Sequence, residues 1–183
     1  MTTEIKLPLE KVTLQSFSSA NNEPSWLMEL REKAFDSLAS LEMPKPDKTN
    51  IRNWNFTEFS NHTVDSNVFS SLDELPEEVK ALLDAEEKHN IYVQRNNTPA
   101  YVSLSETLKE QGVIFTDIIT AAREHSELVQ KYFMTKGIKS DEHRLTALHA
   151  ALMNGGIFIY VPKNVEIKEP LQAVFLRDNK DAS

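Results

Sequence analysis

Between Leu145 and Leu152 the large apolar residues stand three and four apart, and from Ile157 onward they alternate one by one; the pair Gly155-Gly156 sits at the change. Steps of three and four line one face of a helix, whereas strict alternation lines one face of a strand. A chain that switches period in this way must hold helices and strands in series. The spacing predicts a helix over about Asp141–Asn154, with Asp141 and Glu142 in its first turn, where negative charge meets the positive helix end. After the glycines, Phe158 and Tyr160 oppose Ile157, Ile159 and Val161, and a turn at Pro162-Lys163-Asn164 leads to Val165 and Ile167. Pro170 and the run LQAVFL at 171–176 follow, then a polar tail. These read as short strands with no helix between them.

The same reading extends toward the start. The stretch to Asn22 is polar and reads as an arm or a weak short helix. A helix over Pro24–Leu41 carries Leu27, Leu30, Ala34, Leu38 and Leu41 on one face, joined by Trp26, with Asn22 as N-cap and Pro44 and Pro46 beyond its end. Docking such a stripe contributes roughly 1.5–3 kcal/mol per large side chain. A long irregular connection follows, with room for one short strand and with Ile51, Trp54, Phe56 and Phe59 as apolar anchors. A helix is expected from Leu75 or Pro76 to Ala85, facing Val79, Leu82 and Leu83 inward. Ile91 and Val93 begin a strand that ends at an Asn-Asn-Thr-Pro turn, and Ala100–Leu104 return as a second. Ser103 with Glu106 forms a capping box for a short helix ended by Gly112. Val113–Phe115 make a buried strand, and Thr116 or Asp117 caps a helix with Ile118, Ile119 and Ala122 inward. Helix continues to Gly137 with Leu128, Tyr132 and Phe133 as anchors.

The chemistry-bearing residues exclude more than they assign. A net charge of −8 argues against wholesale nucleic-acid binding. There is no cysteine, hence no disulfide, thiolate metal site or cysteine nucleophile. Four glycines, at 112, 137, 155 and 156, leave no phosphate-binding glycine loop. The five histidines, at 62, 89, 125, 143 and 149, form no zinc motif; His143 and His149 are six apart and point about 240° from each other around a helix. Glu142 and His149 share a face, which reads as a surface carboxylate beside a partly buried, hydrogen-bonded imidazole. Arg123-Glu124-His125 reads as a solvated helix end, and Glu77-Glu78 and Glu86-Glu87 as surface pairs. No serine lies in a nucleophile elbow. Gly155-Gly156 reads as a helix-to-strand turn, since a helix C-terminus has the wrong dipole sign for an anion. The start, MTTEIKLPLEK, lacks the apolar run of a signal peptide, and the longest apolar runs fall far short of a membrane span. A cytoplasmic protein is expected. No catalytic, cofactor-binding or metal-binding residue is assigned. Trp54, Phe56 and Phe59 leave open a second reading, an independent acidic module that binds a protein or ligand through residues 51–59.

The segment DEHRLTALHAALMNGGIFIYVPKNVEIKEPLQAVF, 141–175, closely resembles the SufB/SufD family of iron–sulfur cluster assembly proteins: a helix ending in small residues and Gly-Gly, an IYVP strand, then a P-L-Q segment. The stretches GVIFTDIITAAREHSELVQKYF at 112–133 and NEPSWLMELREKAF at 22–35 resemble it too, and MPKPDKTNIRNWNF at 43–56 is more similar to the SufD branch. Residues 57–100 carry little of the likeness. The resemblance implies an α+β chain: a mostly helical N-terminal domain over 1–154 with short strands, then, over 155–183, the truncated start of a right-handed parallel β-helix. It implies a non-enzymatic scaffold subunit that pairs with SufB and, with copies of the ATPase SufC, builds nascent clusters. The family's SufC docking site and cluster residues belong to later segments, so none is carried over here, and no cofactor is expected in this piece. Strands at 157–176 that end without a cap leave open edges. They are expected to pair with another copy or to fold back on the preceding domain.

Overall fold

A computed structural model of the chain describes residues 10–56, 68–83 and 89–178. It is a mixed α+β structure. The helices are α1 (Lys11–Ala20), α2 (Ser25–Ser37), α3 (Glu77–Lys80), α4 (Glu106–Glu110), α5 (Ile118–Glu124), α6 (Ser126–Tyr132) and α7 (Arg144–Leu152). The strands are β1 (Ile91–Arg95), β2 (Thr98–Ser103), β3 (Ile114–Asp117), β4 (Ile157–Tyr160) and β5 (Gln172–Leu176). Contacts divide the described residues into two compact units, 10–56 with 119–153 and 68–118 with 154–178.

The first unit is helical. Ala34 and Leu38 of the α2 segment bury against Ala147, Leu148, Ala150 and Ala151 of α7, with Phe35, Leu41, Leu145 and Leu152 half-buried around them. Three alanines on α7 let the helices approach closely. α2 is shorter than its stripe: Pro24 occupies the N-cap position and Leu38 the C-cap. Asn22 does not cap it, because its backbone turns left-handed (φ 51°) two residues earlier. α7 begins at Arg144 instead of Asp141. His143 is the N-cap: its Nδ1 accepts the Thr146 N–H at 3.2 Å while the Thr146 hydroxyl accepts the His143 N–H at 3.1 Å. That reciprocal pair starts the helix later and leaves Asp141 and Glu142 outside it. The stretch after α5 is interrupted at His125, and α6 stops at Tyr132, because Phe133 is extended and Met134 is left-handed (φ 52°). Its buried residue is Val129, and Tyr132 is exposed.

The side chain that holds this unit together is charged. The side chains of Arg31 and Glu23 are 1% and 0% exposed. Arg31 donates from Nε and Nη2 to the two Glu23 oxygens at 2.8 and 2.7 Å, and from Nη1 to the Ala151 carbonyl at 3.0 Å. Its guanidinium carbon lies 5.0 Å from the centre of the Phe17 ring. One cation thereby links α1, the turn before α2, α2 itself and the last turn of α7. A buried pair is tolerated when its geometry is bidentate and its remaining groups are satisfied.

The second unit is built on a three-stranded sheet in the order β2-β1-β5, with β3 and β4 paired separately and antiparallel. β1 and β2 form the expected hairpin, turning at Asn96 with φ 53°, which an asparagine tolerates. β5 runs parallel to β1, from Ile91↔Gln172 to Arg95↔Leu176. β1 is covered on both faces. Ile91 and Val93 pack with Leu75, Val79, Ala100, Val174 and Leu176. On the other face the Tyr92 ring lies 6.2 Å from Phe115 and 6.1 Å from Phe175. The strands after residue 154 thus fold back on earlier strands of the same chain. Val165 and Ile167 form no strand, since that stretch carries the chain from the β3–β4 pair to the other sheet. α3 is a single turn ending at Lys80; Val79 is buried but Leu82 is exposed, and Ala85 lies outside the described residues. Ser103 belongs to β2 and Ser105 is the N-cap of α4, so the expected capping box does not form. Gly112 closes α4 with φ +80°. Thr116 and Asp117 end β3, and α5 starts directly after them.

Candidate functional site

Among the described residues, those with the most chemistry do not converge. His143 is spent on its helix cap, and His149 and Glu142 are exposed. His149 is therefore not the partly buried imidazole that the sequence suggested, because it lies on the outer face of α7. Arg123 donates to the Asn21 carbonyl at 2.9 Å and to the Thr120 hydroxyl at 3.0 Å, which ties the end of α5 to the turn before α2. Glu77 and Glu78 are exposed; His62, Phe59 and Glu86-Glu87 lie outside the described residues. Among the described residues no three of His, Asp and Glu are grouped to hold a metal. The described residues include no helix long and apolar enough to cross a membrane. Gly155 packs closely: a Cβ there would press on Gln94 Oε1 at 3.3 Å and touch the Asn97 carbonyl at 3.4 Å.

What the described residues do assemble is a strand, β5, held in a fixed register and paired with none of them along its outer edge. Two buried, left-handed asparagines stand at the ends of β1 (φ 57° at Asn90, 53° at Asn96). At one end the Asn90 carbonyl accepts the Gln172 N–H at 2.9 Å, its Oδ1 accepts the Ser105 N–H at 3.0 Å, and its Nδ2 donates to Glu169 at 3.3 Å. At the other end the Asn96 N–H donates to the Leu176 carbonyl at 2.7 Å. Its side-chain amide donates to Asp178 Oδ1 at 2.9 Å and accepts the Asp178 N–H at 3.2 Å. Arg95 reaches the other Asp178 oxygen at 2.8 and 2.6 Å. Hydrogen bonds from Arg95 and then Asn96 hold the Asp178 carboxyl below its ordinary range. Between the clamps the Tyr92 hydroxyl donates to Gln94 Oε1 at 3.0 Å, and Gln94 Nε2 donates to the Asn96 carbonyl at 3.0 Å. Burial and then the Asp117 charge raise the Tyr92 phenol far above its ordinary value, so it remains a neutral donor. This network fixes a strand.

The two edges of the sheet differ. On β2, Pro99 has no N–H, the strand is offset by an irregularity between Val93 and Gln94, and the Ala100 carbonyl is taken by the Phe69 N–H at 2.8 Å. β5 has no charge, proline or bulge between Gln172 and Leu176. Gln172 and Leu176 turn their backbone groups toward β1, so alternation points those of Ala173 and Phe175 away from it. Phe175 is 54% exposed. An apolar, unblunted edge of this kind is a template for another strand. The sequence signalled the strand but not the edge, because which strand lies outermost is a property of the sheet order alone.

Comparison with known proteins adds an independent line. The family model for the SufBD protein N-terminal region matches residues 14–173. The chain is 58% identical over 184 residues to the iron-sulfur cluster assembly protein SufD of Bacillus subtilis (strain 168), covering 100% of this chain and 42% of that protein. It is 32% identical over 171 residues to an iron-sulfur cluster assembly SufBD family protein of Staphylococcus aureus (strain USA300), covering 88% of this chain and 36% of that one. The chain thus spans about two fifths of the length of the curated relatives it matches.

Proposed function

The chain belongs to the SufBD family and is SufD-like, and we propose that it serves iron–sulfur cluster assembly as the N-terminal part of a non-catalytic scaffold subunit. The observation that carries this reading is the family match over 14–173, which spans both units. The parallel β1–β5 pair and its open outer edge support the finer part: residues 155–183 open a right-handed parallel β-helix, and the next strand of a longer protein adds to β5. The preceding residues act as its lid. In this reading the longer protein, in the cytoplasm, pairs with SufB and recruits SufC, and this piece holds no cofactor of its own. It binds no nucleic acid and no membrane.

A pull-down tests the assignment. The longer protein is expected to retain SufB and SufC, and the 183-residue chain to fail to hold SufC. Strong retention of SufC by this chain alone would overturn the placement of the docking site. Metal analysis tests the non-catalytic part: stoichiometric iron or zinc in the purified chain would contradict it.

A further inference from the structure

Beyond the scaffold role, we infer that the turn at residues 50–56 is a docking point for an acidic, apolar-tipped segment of a partner protein. The turn is built, although it belongs to no helix or strand. The Asn50 side chain accepts the Arg52 N–H at 3.1 Å and the Ile51 carbonyl accepts the Trp54 N–H at 3.1 Å. Ile51 is half-buried and anchors it, and Trp54 stands out, 58% exposed, with the Phe56 ring 6.2 Å away. An indole held in water on an ordered turn forgoes the gain from burying it, and tryptophan is the residue most enriched at the energetic centres of interfaces. Trp26, the other tryptophan, is only half-exposed and donates its indole N–H to Ser126 at 2.6 Å.

Charge selects the occupant. Exposed Lys48 and Arg52 precede Trp54 by six and two residues, against Asp47 alone between Pro46 and Phe56, in a chain whose net charge is −8. The sign of this stretch is opposite to that of the whole. A carboxylate-bearing segment is attracted to these cations, while Trp54, two residues beyond Arg52, offers the apolar contact. Aromatic rings near cations also suit single-stranded nucleic acid, but a phosphate backbone, charged at every nucleotide, is repelled by the net charge of −8 more strongly than a segment with few carboxylates.

The test uses the 183-residue chain and three labelled probes: a peptide of alternating Glu and Leu with one Phe, the same peptide with Lys for Glu, and oligothymidylate. Fluorescence anisotropy is expected to show binding of the acidic peptide alone, weakening as salt screens the charges. Trp54→Ala is expected to lower that affinity at least about tenfold, and Lys48→Glu with Arg52→Glu to abolish it. Both variants should melt like the parent, since these side chains are exposed. Absence of acidic-peptide binding, equal binding of the basic peptide, unchanged affinity in Trp54→Ala, or preference for oligothymidylate would each overturn the inference.

Discussion

The two units bury polar groups in opposite ways. The helical unit encloses a full ion pair, Glu23–Arg31. The sheet unit encloses mainly side-chain amides, Asn90, Gln94, Asn96 and Asn97, at and near the ends of one strand, with Asp117 as its one buried charged residue among those described. Helices satisfy their own backbone, so what the helical unit needs is a link between helices, and one guanidinium with five donors supplies it. A strand depends on neighbours. The sheet unit therefore uses its amides to set where β5 starts and stops along β1, and among the described residues no strand pairs with the far side of β5. One unit is closed by its polar core, and the other is kept in register by it.

The largest effect expected from breaking this comparison is at Arg31. Arg31→Ala leaves a buried carboxylate without its partner and should cost about 3–5 kcal/mol, read by urea unfolding. Replacing both partners, Arg31→Met with Glu23→Leu, should cost far less; an equal loss would show that the charge itself is indispensable. In the sheet unit the corresponding change is milder. Asn96→Ala loses the Asp178 bonds and places an ordinary residue in the left-handed region, for about 1–3 kcal/mol. Asn96→Gly keeps the turn and isolates the hydrogen-bond share, and amide exchange across β5 should rise in both variants.

These contrasts also mark what the sequence could show. The stripe from Leu27 to Leu38 and the Asn-Asn-Thr-Pro turn announce α2 and the β1–β2 hairpin through local periodicity and turn chemistry. Arg31 is invisible to that logic: a charged residue within a stripe reads as surface, and its partner Glu23 lies eight residues back across a turn. Cap positions shifted for a similar reason. At α7 Asp141 and Glu142 were expected in the first turn, but reciprocal bonds between a histidine and a threonine start the helix after them, and only the geometry decides where it begins. Leu82 and Tyr132 followed the period yet stand outside, because each helix stops before that turn is packed. The parallel pairing of β5 with β1, and hence the open edge, depends on contacts about eighty residues apart, which no window of sequence contains.

The smallest effect is electrostatic. Asp178 titrates below its usual value because Arg95 and Asn96 donate to its charged form. A carboxyl depressed in the folded state adds stability that is whole above the unfolded value and is lost as pH falls through the folded one. The pair is partly exposed, so the contribution is at most about 1 kcal/mol. Urea midpoints of the parent should fall on acidification slightly more than those of Asp178→Asn; identical slopes would remove Asp178 from the clamp.

Amide exchange at Ala173 and Phe175 addresses the open edge most directly. In the dilute 183-residue chain these two amides should exchange fast while those of Val174 and Leu176 are protected. In a longer SufD-like protein all four should be slow, because in the proposed reading a further strand covers β5. Fast exchange at Ala173 and Phe175 in both, or protection already present in the isolated chain, would contradict the account.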